Sequence, residues 1–266
     1  MSFISGKSIS ELRRIVPGFA AKKLDELFEE FESIESDDRL TEEGRHFRAQ
    51  QLVNLIGVWV QYSQAVEPMR EELRGAGFIV AEISELIAPG VGSAAAEPIL
   101  TKWLPKVDFL PLKKDIASAL GCPWAHPFAM PALLTELKET RPELDLGVDS
   151  LRGRIADAIE KSLRPGEVDV RFLAGLIEFV TDPRQGLARG FIVMALGKLE
   201  AYRAEVLPVL VGLLEDDEMV VAAVIALGRL RAVEALDFVE LKLRSHQVDP
   251  WMLSKVKVAK RRMSGE

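Results

Sequence analysis

One helix ending recurs along the second half of this chain and constrains its fold more than any other feature. Ala119-Leu120-Gly121, Ala158-Ile159-Glu160, Ala195-Leu196-Gly197 and Ala226-Leu227-Gly228 follow one another at spacings of 39, 37 and 31 residues. A period of that size marks a stacked array of helical pairs, a solenoid, because each pair carries an apolar face that only a neighbouring pair can cover. The recurring endings close the second helix of each pair (B). The first helices (A) are expected to begin near Pro131, Val168, Leu207 and Val233. Pro131 and Pro208 are expected in a first helical turn, which tolerates the missing N–H. Small residues at the B-helix ends let two backbones approach closely, and glycine there can also supply a left-handed cap. Leu196 and Leu227 are expected to point inward between adjacent pairs.

Composition agrees with an all-α chain. Of 266 residues, 48% are hydrophobic, 28% charged and only 7% aromatic, which suits close-packed Ala, Leu and Val helices better than a sandwich or barrel. The single cysteine, Cys122, has no partner for an internal disulfide, and the first residues lack the apolar run of a signal peptide, so a cytoplasmic setting is the expectation. The most apolar stretch, residues 78–100, is broken by Glu82, Glu85, Pro89, Gly90, Gly92, Glu97 and Pro98. It cannot supply the ~20 apolar helical residues of a membrane span.

The first 88 residues read as helices without the later period. Leu24, Leu27, Phe28, Phe31 and Ile34 form one stripe of a helix beginning near Ala20. Thr41, followed by Glu42 and Glu43, signals the N-cap and first turn of a second helix, with Phe47, Leu52, Leu55, Ile56, Trp59, Val66 and Met69 as its apolar set. Pro68 is expected to kink or break it. A short third helix is expected over residues 78–88. Residues 89–98, Pro-Gly-Val-Gly-Ser-Ala-Ala-Ala-Glu-Pro, carry the strongest linker signal. The expected organisation is an N-terminal helical bundle (1–88), a linker (89–98) and a repeat domain (99–266).

Within that repeat domain, Leu207-Pro208-Val209-Leu210-Val211-Gly212-Leu213-Leu214 leads through the acidic turn Glu215-Asp216-Asp217-Glu218 to a B helix, residues 220–230. Glu234-Ala235-Leu236 then opens the next A helix, and Asp182-Pro183 followed by residues 188–199 repeats the pattern. This alternation resembles HEAT repeats over about the C-terminal three fifths of the chain. The resemblance implies a HEAT-like α-solenoid of about four helix pairs whose B helices line the concave side, and a role in scaffolding rather than catalysis. DNA glycosylases for alkylated bases and bilin lyases also use HEAT-like repeats and keep an enzymatic alternative open, although no Trp-Trp-Asp-type cluster beside a basic groove supports the glycosylase reading.

Local chemistry is sparse. Cys122 and His126 stand four apart, but Pro123 and Pro127 oppose the helical turn that would join them, and zinc needs further ligands. The remaining histidines, His46 and His246, lie 80 and 120 residues away from His126. Glu43-Gly44-Arg45-His46 contains a single Glu-x-x-His, which di-iron bundles require twice. Glu82 and Glu85 are expected to face water. No catalytic residue, cofactor or metal is assigned.

Charge is more informative. The segments assigned to B helices and the terminal helix sum to +9, and the A-helix segments to −9. With B helices on the concave side, the inner surface would be basic. Its expected partner-binding residues are Arg152, Arg154, Arg184, Arg189, Lys198 and Arg229. Lys198 and Arg229 sit late in helices, where the dipole alone favours cations, whereas Arg152, Arg154, Arg184 and Arg189 sit at helix starts, where it does not. Residues 25–43 hold ten carboxylates and one arginine, a solvated face or the binding site of a basic partner. The net charge of −7 opposes non-specific nucleic-acid binding. The expected function is protein–protein interaction, as an adaptor or inhibitor, with a protein partner carrying an acidic segment.

Overall fold

The computed structural model describes residues 18–35, 37, 39–125, 129–141, 150–164, 168, 170–245, 250 and 253–265. Among them are twelve α-helices and no strand: α1 (Gly18–Glu35), α2 (Glu42–Gly75), α3 (Glu97–Trp103), α4 (Leu110–Leu120), α5 (Ala129–Glu139), α6 (Leu151–Ser162), α7 (Val170–Thr181), α8 (Arg189–Leu196), α9 (Arg203–Gly212), α10 (Val220–Arg229), α11 (Leu236–Ser245) and α12 (Leu253–Ser264). Short 3₁₀ turns join several of them. None of the described helices is long and apolar enough to cross a membrane.

Helix α2 starts as its sequence dictates. Thr41 is extended, and its Oγ1 accepts the Gly44 N–H at 3.1 Å, with Glu42 and Glu43 in the first turn. Pro68 does not break the helix, which runs unbroken over 34 residues. Pro68 lies on the exposed side, as does Gln64, whose carbonyl loses its donor there and can turn to water. Over residues 78–88 the expected α-helix is a shorter 3₁₀ turn, Ile83–Ile87, closed at its start by Glu85, whose Oε1 accepts the Ala81 and Glu82 N–H groups at 2.9 Å.

From α3 onward the helices alternate. Members of each pair (α3/α4, α5/α6, α7/α8, α9/α10 and α11/α12) pack on each other, and the even-numbered helices pack in succession, α4 on α6, α6 on α8, α8 on α10 and α10 on α12. There are five such pairs where the period marked about four. The last B helix, α12, escaped it because Ala259-Lys260-Arg261 stands in place of Ala-Leu-Gly. Leu196 and Leu227 are fully buried, as their place in the period requires.

The glycines of the period serve close approach rather than left-handed capping. Gly121 and Gly197 have ordinary helical backbones (φ −79° and −63°). A Cβ added at Gly121 would lie 2.8 Å from Ala158 Cα, one at Gly197 2.6 Å from Ala226 Cα, and one at Gly228 2.5 Å from Ala259 Cα. Each glycine therefore admits the alanine of the next even-numbered helix against bare backbone, where methyl-sized atoms would collide.

The core does not divide at residues 89–98. One buried cluster runs from Tyr62, Val66, Met69 and Leu73 through Ile83, Leu86, Ala96 and Leu100 and on to Met263. A second, smaller cluster joins Leu27 and Phe28 of α1 to Leu52, Ile56 and Val60 of α2. Helix α2 thus serves both, its first half covering α1 and its second half covering α3 and α4. Gly92 is part of this packing: a Cβ there would meet Trp124 at 2.5 Å.

Candidate functional site

A cleft of ≈ 1150 Å³ lies between α2 and the first two even-numbered helices. Residues Leu55, Val58, Trp59 and Tyr62 of α2 recur at helical spacing and form one wall. Lys114, Asp115 and Ser118 of α4, with Arg154, Asp157 and Lys161 of α6, form the other, and Glu82 and Ile87 also line the cleft. Arg154, Asp157 and Lys161 recur at three and four residues, which puts them on a single face of α6, and Ser118 follows Asp115 and Lys114 by three and four on α4. The apolar lining is open: Leu55 and Val58 of α2 are 51% and 43% exposed, and Ile87 of the 3₁₀ turn is 43% exposed. Exposed aliphatics lining a concave surface mark a contact region more than the same residues scattered singly would.

At the cleft floor, a small network fixes the geometry. The Tyr62 hydroxyl donates to Asp115 Oδ2 at 2.8 Å and accepts the Ile83 N–H at 3.1 Å. Trp59 stacks on Tyr62 with ring centroids 5.8 Å apart, and Phe109 meets Tyr62 edge-on at 6.4 Å. Burial pushes the Asp115 carboxyl above the usual carboxylate range, and the nearby Glu82 adds to this against the Tyr62 hydrogen bond and Arg154. Burial and the Asp115 charge likewise raise the Tyr62 phenol, so it stays protonated and remains a donor. Cys122 borders the cleft but is buried; burial raises its thiol, with Lys161 pulling the other way. Raised thiol affinity for its proton is the opposite of what a nucleophile needs. Lys161 itself is held by Asp157 at 2.6 Å.

The six expected partner-binding cations do not form one groove. Arg152 is 1% exposed and caps the end of α5, donating to Leu137 O at 2.8 Å and to Thr140 O, while its second amino group donates to Gln185 Oε1 at 2.5 Å. Its guanidinium also lies 5.4 Å over the Phe179 ring. Arg189 is 2% exposed and ties α8 to the acidic turn before α10, reaching Asp216 at 2.8 Å and Glu218 at 3.5 Å. Arg184 is exposed but folded onto Asp182, at 2.9 Å, which also accepts the Arg184 backbone N–H and starts the 3₁₀ turn Pro183–Ala188. The hydrogen bonds from Arg184 and Gln185 hold the Asp182 carboxyl far below the usual range. Only Arg154 of these four opens on the cleft. Helix starts are where turn carboxylates and the carbonyl ends of neighbouring helices gather, so an arginine there finds partners inside the chain.

Lys198 and Arg229 are brought together by Glu160. Glu160 stands in the slot held by glycine elsewhere in the period, and its carboxylate reaches Lys198 at 3.0 Å and Arg229 at 2.7 Å, bridging α6 to the ends of α8 and α10. Arg229 also donates to Met194 O at 2.7 Å. Burial would raise the Glu160 carboxyl, but the charges and hydrogen bonds of Lys198 and Arg229 outweigh it, and the net shift is downward.

Other expectations resolve in part. Glu85 is exposed, whereas Glu82 lines the cleft. His126 and His246 lie outside the described residues, and His46 is exposed. Among the described residues no group of three or more His, Cys, Asp or Glu side chains is arranged to hold a metal ion. Sequence reasoning missed the apolar wall. Leu55 belongs to the apolar set of α2, yet the buried positions are Leu52, Ile56 and Val60, followed by Tyr62, Val66, Met69 and Leu73, and the excess of apolar residues beside them is the available signal. No known protein family, curated protein or solved structure matches the chain.

Proposed function

We propose that this chain is a protein-binding module, a HEAT-like solenoid of helix pairs that seats a segment of a partner protein in the cleft between α2 and the inner row α4 and α6. The observation that carries this reading is the juxtaposition of an open aliphatic wall, Leu55, Val58 and Ile87, with a facing wall of both charge signs, Lys114, Asp115, Arg154 and Asp157. An amphipathic segment buries apolar side chains on one wall and pairs polar ones on the other, and that arrangement gives affinity and register at once. The regular succession of even-numbered helices supports the repeat reading, since repeat arrays bind along the face that their inner helices share. The arginines inside the array, Arg152 and Arg189, are then part of its framework, as are Lys198 and Arg229 around Glu160, while Arg154 faces the partner.

The test is capture of interacting proteins from the native cell by the wild type and by Leu55→Asp/Val58→Asp. Both side chains are exposed, so the double variant should fold, which circular dichroism checks. It should lose the proteins that the wild type retains. Equal recovery of the same proteins by both would remove the cleft as the binding site.

A further inference from the structure

Helix α12 departs from the pattern of the other even-numbered helices in a way that selects what can lie beside it. In α4, α8 and α10 the slot facing the next helix holds Gly121, Gly197 or Gly228, each meeting an alanine. In α12 the alanine, Ala259, packs under Gly228, but the slot two residues on is Arg261. A long cation there bars another helix from approaching in the same apolar geometry. Helix α12 carries Lys255, Lys257, Lys260, Arg261 and Arg262 and no carboxylate. Lys260 pairs with Glu240 at 2.9 Å. Lys257, Arg261 and Arg262 are exposed and form no ion pair among the described residues.

The opposite sign gathers at the other end of the chain. Helix α1 carries six carboxylates against Lys22 and Lys23. Its apolar residues Leu27 and Phe28 are buried on α2, leaving Glu26, Glu29, Glu30 and Glu32 exposed. Glu26 makes a long, exposed pair with Lys23 at 3.8 Å within α1, and Glu29 and Glu30 form no ion pair among the described residues. The geometry matches as well as the sign. Glu26 and Glu30 are spaced four apart, as are Lys257 and Arg261, so each pair presents two charges about 6 Å apart along its helix.

We infer that α12 docks the acidic face of α1 from a second copy of this chain, giving a salt-sensitive head-to-tail association. The interface is heterologous, so it builds rings or open chains rather than a closed two-fold dimer. A nucleic acid would also meet the α12 charges, but the chain as a whole carries −7, and the helical spacing of the α1 carboxylates matches that of the α12 cations where a phosphate backbone has no such register.

Sedimentation of the full chain tests this. The wild type should show a mass that rises with concentration at low salt and returns to that of one chain near 1 M salt, where the Debye length is about 3 Å. Lys257→Glu/Arg261→Glu should weaken the association at least about tenfold, as should Glu26→Lys/Glu30→Lys. Mixing the two variants, or combining all four changes in one chain, should restore it, which a folding defect could not do. A wild type that stays a single chain at low salt would overturn the inference. So would association that the reversals leave unchanged, or binding of a single-stranded oligonucleotide by a protein that does not self-associate.

Discussion

Glu160 shows how one side chain changes the meaning of a repeat position. Where Gly121, Gly197 and Gly228 leave room for an alanine, Glu160 instead carries its carboxylate to Lys198 and Arg229, so that three successive even-numbered helices share one charge cluster. Because all three side chains keep some contact with water, the cluster's worth is well below that of a dry ion pair. Glu160→Gln should cost about 1–3 kcal/mol at neutral pH, mostly by leaving two cations with a weaker acceptor. The sign of the pH dependence follows from the downward shift of the Glu160 carboxyl. A carboxyl held below its unfolded value stabilises the fold above about pH 4.3, and the contribution is lost as pH falls through the lower folded value. Denaturant titrations of the wild type and Glu160→Gln should therefore converge as pH drops below about 4.3. A gap that stays constant down to acid unfolding would mean that the carboxylate is not the group the two cations depend on.

At the scale of elements, the close approach of the even-numbered helices predicts opposite outcomes for one substitution at two glycines. Gly197 is pressed against Ala226, with a Cβ position 2.6 Å from its Cα. Gly212 sits at the end of α9 with helical dihedrals (φ −60°, ψ −37°) and nothing within 4 Å of its Cβ position. Alanine at Gly212 should stabilise by about 0.4–1 kcal/mol through the unfolded chain's lost freedom. Alanine at Gly197 should destabilise by about 1–3 kcal/mol, since backbone must move apart to admit the methyl group. Thermal or denaturant unfolding of the two variants reads both signs. Stabilisation at both positions would show that α8 and α10 do not meet at Gly197. The period itself was legible because a backbone contact demands the same small residues each time. The arginine pairings were not: Arg152 and Gln185, or Arg189 and Asp216, are 33 and 27 residues apart. Counting charge along the chain cannot see which carbonyls and carboxylates the fold brings beneath each guanidinium.

For the whole molecule, the consequence is that residues 89–98 do not separate two independent cores. Their Gly, Ala and Pro content imitates a tether, yet Ala96 is buried and Gly92 leaves space that Trp124 fills. Small residues serve both flexible segments and tight packing, and composition alone does not distinguish the two. The break between buried clusters falls inside α2, a helix whose continuous sequence gives no sign that its two halves face different neighbours. That double duty places Leu55, Val58 and Trp59 opposite α4 and α6 and so creates the cleft. Its existence depends on which neighbours the two halves of α2 meet, which local periodicity does not encode.

Placing a photo-crosslinking residue at Val58, in the cleft, and separately at Val170, an exposed position on the A helix α7, measures where a partner sits on this fold. The two sites are both open to solvent, so they differ in location more than in accessibility. In native cells Val58 should yield a discrete crosslinked protein product that Val170 does not. A product at Val170 with none at Val58, or the same products from both, would contradict binding through the cleft.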